Sequence, residues 1–86
     1  MRTSAQLRRA REELEVAEAQ LQQCRQTEDE ARINALVSDS VEAKREFSQA
    51  KRHCEAMERT RNAASEELRR LQALQSDLLE RLPEQG

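Results

Sequence analysis

Apolar and small residues recur along this chain at intervals that alternate between three and four positions. Because this alternation has the period of a coiled-coil seam, it predicts a first heptad run over residues 4–31. The core positions of this run are Leu7, Ala10, Leu14, Ala17, Leu21, Cys24, Glu28 and Ala31.

A second run with the same spacing is predicted over residues 44–82. Its core positions are Phe47, Ala50, Cys54, Met57, Arg61, Ala64, Leu68, Leu71, Gln75, Leu78 and Leu82. Glu28, Arg61 and Gln75 are the strongly polar residues among the core positions of the two runs. Polar residues at such positions lower stability but restrict register and oligomeric state.

The two runs are out of phase, because Leu7 and Phe47 are 40 residues apart, which is five heptads plus five residues. The seam therefore shifts within a phase break at residues 32–43. One interpretation is a continuous helix that absorbs two four-residue steps. The other is a turn in which Asp39 caps the second helix and Glu42 completes a capping-box-like pair.

We favour the continuous helix, because the break has no Gly or Pro, which turns between helices usually contain. A loop here would also leave apolar side chains unused, namely those of Ile33, Leu36, Val37 and Val41. A helix from Ser4 to Leu82 would be about 120 Å long. Pro83 disfavours helical geometry at Leu82, so we predict a non-helical tail at residues 83–86.

A helix with this seam needs a partner to cover its Leu side chains. A parallel homodimer would stack Glu28 on Glu28 and Arg61 on Arg61, which is unfavourable in a partly dry seam. An antiparallel arrangement in which paired residue numbers add up to 78 avoids this and places large residues opposite small ones at several layers. It pairs Leu7 with Leu71 and Cys24 with Cys54. A chain folded back on itself satisfies the same pairs.

We therefore predict an all-α fold, a long coiled-coil helix paired as an antiparallel homodimer. The alternatives are a parallel dimeric coiled coil and a helical hairpin with a turn near residues 34–40. The predicted dimer interface consists of Leu7, Ala10, Leu14, Ala17, Leu21, Cys24, Ala31, Phe47, Ala50, Cys54, Met57, Ala64, Leu68, Leu71, Leu78 and Leu82. Residues beyond about 76 have no partner in this register, so we expect them to contact a further helix.

We interpret residues 1–86 as a single coiled-coil segment. The charged helical pattern begins almost at Met1, which suggests a fragment of a longer protein.

Composition excludes most other classes of protein. The chain is 37% charged, 36% apolar and 1% aromatic, with Phe47 as its one aromatic residue. A net charge of -2 gives no general attraction to nucleic acid. The longest apolar run is three residues, too short for membrane insertion. We expect an intracellular, cytoplasmic protein, for example of the cytoskeleton.

The two cysteines and the single histidine do not form a recognisable disulfide framework, metal site or catalytic motif. Cys24 and Cys54 are too few for a disulfide framework and fit a reducing compartment. We interpret them as small apolar core residues kept as thiols; the alternative is a disulfide between them. A zinc site formed by these cysteines and His53 lacks a fourth ligand. Since no motif for catalysis or phosphate binding occurs, we predict neither an enzyme nor a cofactor.

One charged face is a candidate for binding a partner. Five basic residues fall on adjoining outer heptad positions and form what we call the basic stripe, consisting of Lys44, Arg45, Lys51, Arg52 and Arg59. The simpler interpretation is a solvated face braced by pairs such as Glu55 with Arg59. We predict a structural oligomerisation and scaffold module whose partners are a second copy and other proteins. The alternative is a regulatory module that captures a signalling or trafficking protein on this stripe.

Overall fold

A computed structural model describes residues 2–82, which form two α-helices: α1, Arg2–Ser38, and α2, Val41–Glu80. The helices pack against each other in opposite directions, so the chain is a helical hairpin. At 1.5 Å per residue, the 40 residues of α2 give a rod about 60 Å long. The all-α coiled-coil class predicted from the heptads is confirmed.

For the single chain the predicted continuous helix across residues 34–42 is wrong, because α1 ends at Ser38 and α2 begins at Val41. The chain reverses at Asp39, whose φ of 51° lies in the left-handed region. Asp tolerates this conformation better than most residues because its short side chain bonds locally. The Asp39 N–H donates to the Ala35 carbonyl over 3.2 Å, which ends α1 as a glycine usually does.

Ser40 starts the second helix. Its backbone is extended, at φ -96° and ψ 157°, and its hydroxyl oxygen accepts the N–H of Ala43 over 3.1 Å. This is the preferred way to satisfy an unpaired N–H group at the start of a helix. The N-cap is therefore Ser40 and not Asp39, and together these two polar residues make the turn without glycine or proline.

The core is a narrow seam between the helices with two clusters of buried side chains. Leu7, Ala10 and Leu71 form one cluster, against which Leu68 packs. Leu21, Cys24 and Cys54 form the other, against which Met57 packs. Both clusters fit the antiparallel pairing in which residue numbers add up to 78. One chain therefore makes within itself the contacts predicted for two.

The seam continues into the predicted phase break. Ala43 is buried and Ala35 is half-buried, and their numbers also add up to 78. The heptad phase changes at residues 32–43 because the chain reverses there, not because a continuous helix winds differently. At the other end α2 stops at Glu80, two residues before the predicted end, and the predicted tail at 83–86 lies outside the described residues.

Ion pairs between neighbouring turns brace the outer faces of the helices. Arg70 contacts Glu67 at 2.6 Å and Arg32 contacts Asp29 at 3.1 Å, each three residues apart. Because all four side chains are largely exposed, water screens these pairs and they add little stability. The burial of the seam therefore holds the helices together.

Candidate protein-interaction surfaces

Most residues predicted for the dimer interface lie between the two helices of one chain. Those that are buried are Leu7, Ala10, Ala17, Leu21, Cys24, Cys54 and Leu71. Those that are half-buried are Leu14, Ala31, Phe47, Ala50, Met57, Ala64 and Leu68. Leu78 and Leu82 are exposed. Contact of any of the predicted interface residues with a second copy stays a prediction.

The polar residues at core positions lie at the edge of the seam. Glu28, Arg61 and Gln75 are each half-buried. Arg61 Nε donates to Asn62 Oδ1 over 2.9 Å, so its charged end stays at the surface. No polar or charged residue among those at 2–82 is buried. The hairpin therefore avoids the like-charge contacts of a parallel dimer.

The turn end of the rod carries an apolar surface, which we call the tip patch. It consists of Ile33, Leu36, Val37 and Val41, which are 58%, 78%, 80% and 68% exposed. In the sequence alone, the apolar character of these residues favours a continuous helix over a turn. The structure shows that they are indeed left uncovered when the chain turns. Neighbouring apolar side chains that are exposed to solvent are typical of sites that bind another protein.

The opposite end carries a groove of about 360 Å³ between the start of α1 and the end of α2. Its lining residues are Thr3, Ser4, Gln75, Leu78, Leu79 and Leu82. The three leucines are 45–63% exposed. This agrees with the register, which leaves residues beyond about 76 without an opposing helix.

Cys24 and Cys54 face each other in the middle of the rod and are each 5% exposed. Burial raises the pKa of the Cys54 thiol above its ordinary value, and the nearby Cys24 and the Glu28 carboxylate raise it further. These causes all favour the protonated thiol. Less of the Cys54 side chain is therefore in the reactive thiolate form than in an ordinary exposed cysteine.

The raised pKa of Cys54 predicts a loss of stability in alkaline solution. A thiol that binds its proton more tightly when folded contributes stability that is fully present below its unfolded pKa. That contribution decreases as pH rises through the ordinary value of 9.0 and is lost above the raised folded value. We expect the urea midpoint to fall as the pH rises above 9.0. In Cys54→Ala the fall should be smaller, and an equal fall would contradict this assignment.

His53 is exposed, but it shares a cleft of about 440 Å³ with Cys24. Gln20, Gln23, Thr27 and Met57 complete the lining. Within residues 2–82, no three His, Cys, Asp or Glu side chains converge as they would around a metal ion. Of the two cysteines, Cys24 is thus the one that lines this cleft.

The basic stripe is exposed along its whole length. Lys44 Nζ lies 2.9 Å from Asp39 Oδ1 and so braces the turn. The other four cations, Arg45, Lys51, Arg52 and Arg59, form no ion pair within the described part of the chain. The predicted pair between Glu55 and Arg59 is not formed. The stripe is therefore less neutralised than the sequence suggests.

Comparison with known proteins adds no relationship. No family model, no curated protein and no solved structure matches this chain. Neither of the helices within residues 2–82 has a stretch long and apolar enough to cross a membrane.

Proposed function

We propose that this chain is a structural oligomerisation and scaffold module that positions attached parts and catalyses no reaction. The observation that carries this proposal is the tip patch, since its four apolar side chains are more than half exposed although the two helices are already paired. Burial of apolar surface yields about 25 cal/mol per Å². A patch of this kind therefore favours association with another protein surface.

A second copy of the chain can cover this surface, because the helix pairing is symmetric about the turn. Pairs whose numbers add up to 78 are symmetric about residue 39, which is the turn itself. If the turn at Asp39 became helical in two copies, α1 of each copy would pack on α2 of the other. The two copies would then make the same seam contacts as two separate hairpins. Straightening would also place Val37 of one copy opposite Val41 of the other. This would cover part of the tip patch and release the left-handed backbone of Asp39.

The test is the mass in solution together with a distance between labels on the N-terminal amines. We expect twice the chain mass of 10.0 kDa by light scattering. We also expect N-termini about 100 Å apart, as two antiparallel helices of nearly the full chain length require. A chain that stays monomeric at high micromolar concentration would contradict the proposed oligomerisation. A dimer with adjacent N-termini would contradict the antiparallel arrangement.

The basic stripe supports a second candidate function, a regulatory module that binds an acidic partner protein. The supporting observation is that four exposed cations lie on adjoining positions of α2 without ion pairs within residues 2–82. Binding of a poly-glutamate peptide tests this face. The triple reversal of Arg45, Arg52 and Arg59 to Glu should weaken binding more than the same reversal of Arg8, Arg9 and Arg11 on α1. Equal losses would show attraction by net charge only.

A further inference from the structure

We propose that Cys24 and Cys54 are a peroxide-oxidisable pair that forms a disulfide between α1 and α2. Neither the heptad pattern nor the proposed scaffold role requires the two thiols to be in contact. The pair is a modification site in the middle of the rod, and peroxide is its oxidant. The inference does not rest on the proposed function, because the pair is formed within a single chain.

The fold supplies the geometry. Both cysteines belong to one buried cluster with Leu21, and each is the opposing residue of the other in the antiparallel pairing. The side chain of Cys24 is close enough to change the titration of Cys54. A disulfide requires Cα atoms within about 7 Å and side chains that point toward each other. Facing positions in a seam rich in alanine satisfy the second requirement and allow the helices to approach closely.

The two thiols are equally exposed, at 5% each, but only one of them lines the cleft, and this difference sets the order of their reactions. Cys24 lines the cleft beside His53 and Met57, whereas Cys54 does not. A peroxide molecule in this cleft therefore meets Cys24 first. Cys54 lies behind it and keeps its proton, because its pKa is raised.

The reaction balances as a two-electron oxidation. The Cys24 thiolate attacks one peroxide oxygen, the O–O bond breaks and hydroxide leaves, so that Cys24 becomes a sulfenic acid. Cys54 then gives up its proton and attacks the Cys24 sulfur. The S–S bond forms, the S–O bond breaks and the departing hydroxide takes the proton. Overall, two thiols lose two electrons and two protons, and peroxide becomes two molecules of water.

The product would tie the two helices together about halfway along the rod. A bond between residues 24 and 54 closes a loop that contains the turn and the tip patch. Because such a loop restricts the unfolded chain, we expect the oxidised form to melt roughly 10–20 °C higher than the reduced form. The seam would then be fixed in register by a covalent bond that a reductant removes.

The first experiment treats the full chain with hydrogen peroxide and maps the products by mass spectrometry without reductant. We expect a loss of 2 Da per pair, with tryptic peptide 12–25 joined to peptide 53–59. The same reaction in 6 M guanidinium is the control and should convert a smaller share of the oxidised cysteine to this disulfide, because the two thiols no longer face each other. Two thiols that remain free for alkylation, or a disulfide share no higher than in guanidinium, would overturn the proposal. Peptide mapping separates this change from oxidation of Met57.

This result is independent of oligomeric state. If the disulfide joins α1 and α2 of one chain, the non-reduced mass stays at 10.0 kDa. If two copies have exchanged helices, the same bond joins two chains and the mass doubles. Both results support the cysteine pair, while only the second supports the dimer. Failure of the proposed disulfide and failure of the proposed dimer therefore give different results.

The second experiment tests the order of attack with two matched variants. In Cys54→Ser the sulfenic acid on Cys24 has no resolving thiol, so it should accumulate and react with dimedone. In Cys24→Ser the remaining Cys54 does not line the cleft. We expect at least about fivefold more adduct in Cys54→Ser. Equal labelling of the two variants would overturn the assignment of Cys24 as the attacking thiol.

Discussion

Leu21→Ala is expected to lower the free energy of unfolding by about 3 kcal/mol. Leu21 is 2% exposed and belongs to the cluster that contains both cysteines. Truncation removes buried methyl groups and leaves a space that flanking side chains fill only in part. A two-helix seam has few other large side chains to offset this loss, so the effect should be a large share of the total stability.

The measurement is urea unfolding followed by circular dichroism at 222 nm. Leu79→Ala is the matched control, because it removes the same atoms from a side chain that is 62% exposed on α2. The free energy of unfolding of Leu79→Ala should stay within about 0.5 kcal/mol of that of the unsubstituted chain. Comparable losses in the two variants would show that Leu21 is not buried in the folded chain.

The seam was predictable from sequence because a heptad pattern specifies which side chains face the partner helix. Leu7, Leu21 and Leu71 were assigned to it from spacing alone, and all three are buried. The register followed from the sizes of the residues, since this pairing places large side chains opposite small ones at several layers of the narrow seam. Both buried clusters obey that pairing.

The turn was missed because its two residues act through backbone geometry that a search for Gly and Pro does not detect. Asp39 takes the left-handed conformation and Ser40 caps α2. A signal was present, however. The centre of the predicted pairing fell on residue 39, and a break in heptad phase at that same place is what a reversal of the chain produces.

The candidate surfaces were predicted unequally. The basic stripe and the unpartnered leucines after residue 76 follow from position in the heptad, and the structure places both at the surface. The tip patch depends on the turn, so it emerged only with the fold. The interpretation of Cys24 and Cys54 as packing residues describes their burial but not the cleft beside Cys24.

Substitutions at Asp39 should shift the balance between the hairpin and the proposed dimer in opposite directions. Asp39→Gly favours the hairpin, because glycine adopts a positive φ such as the 51° observed here without steric cost. Asp39→Ala disfavours the turn by about 1 kcal/mol and favours a continuous helix over glycine by about another 1 kcal/mol. For two chains the sum is roughly 4 kcal/mol, so the dimer dissociation constants should differ by about a thousandfold.

The comparison isolates backbone geometry, because both variants lose the ion pair between Asp39 and Lys44. Sedimentation velocity over a range of concentrations gives the two dissociation constants, and circular dichroism checks that both chains remain helical. The alanine variant should be the tighter dimer, since its central residue suits a helix and not a turn. If the Asp39→Gly variant dimerises as tightly as the Asp39→Ala variant, the two copies associate without forming a continuous helix at residue 39. The tip patch would then have to be covered in some other way than by exchange of helices.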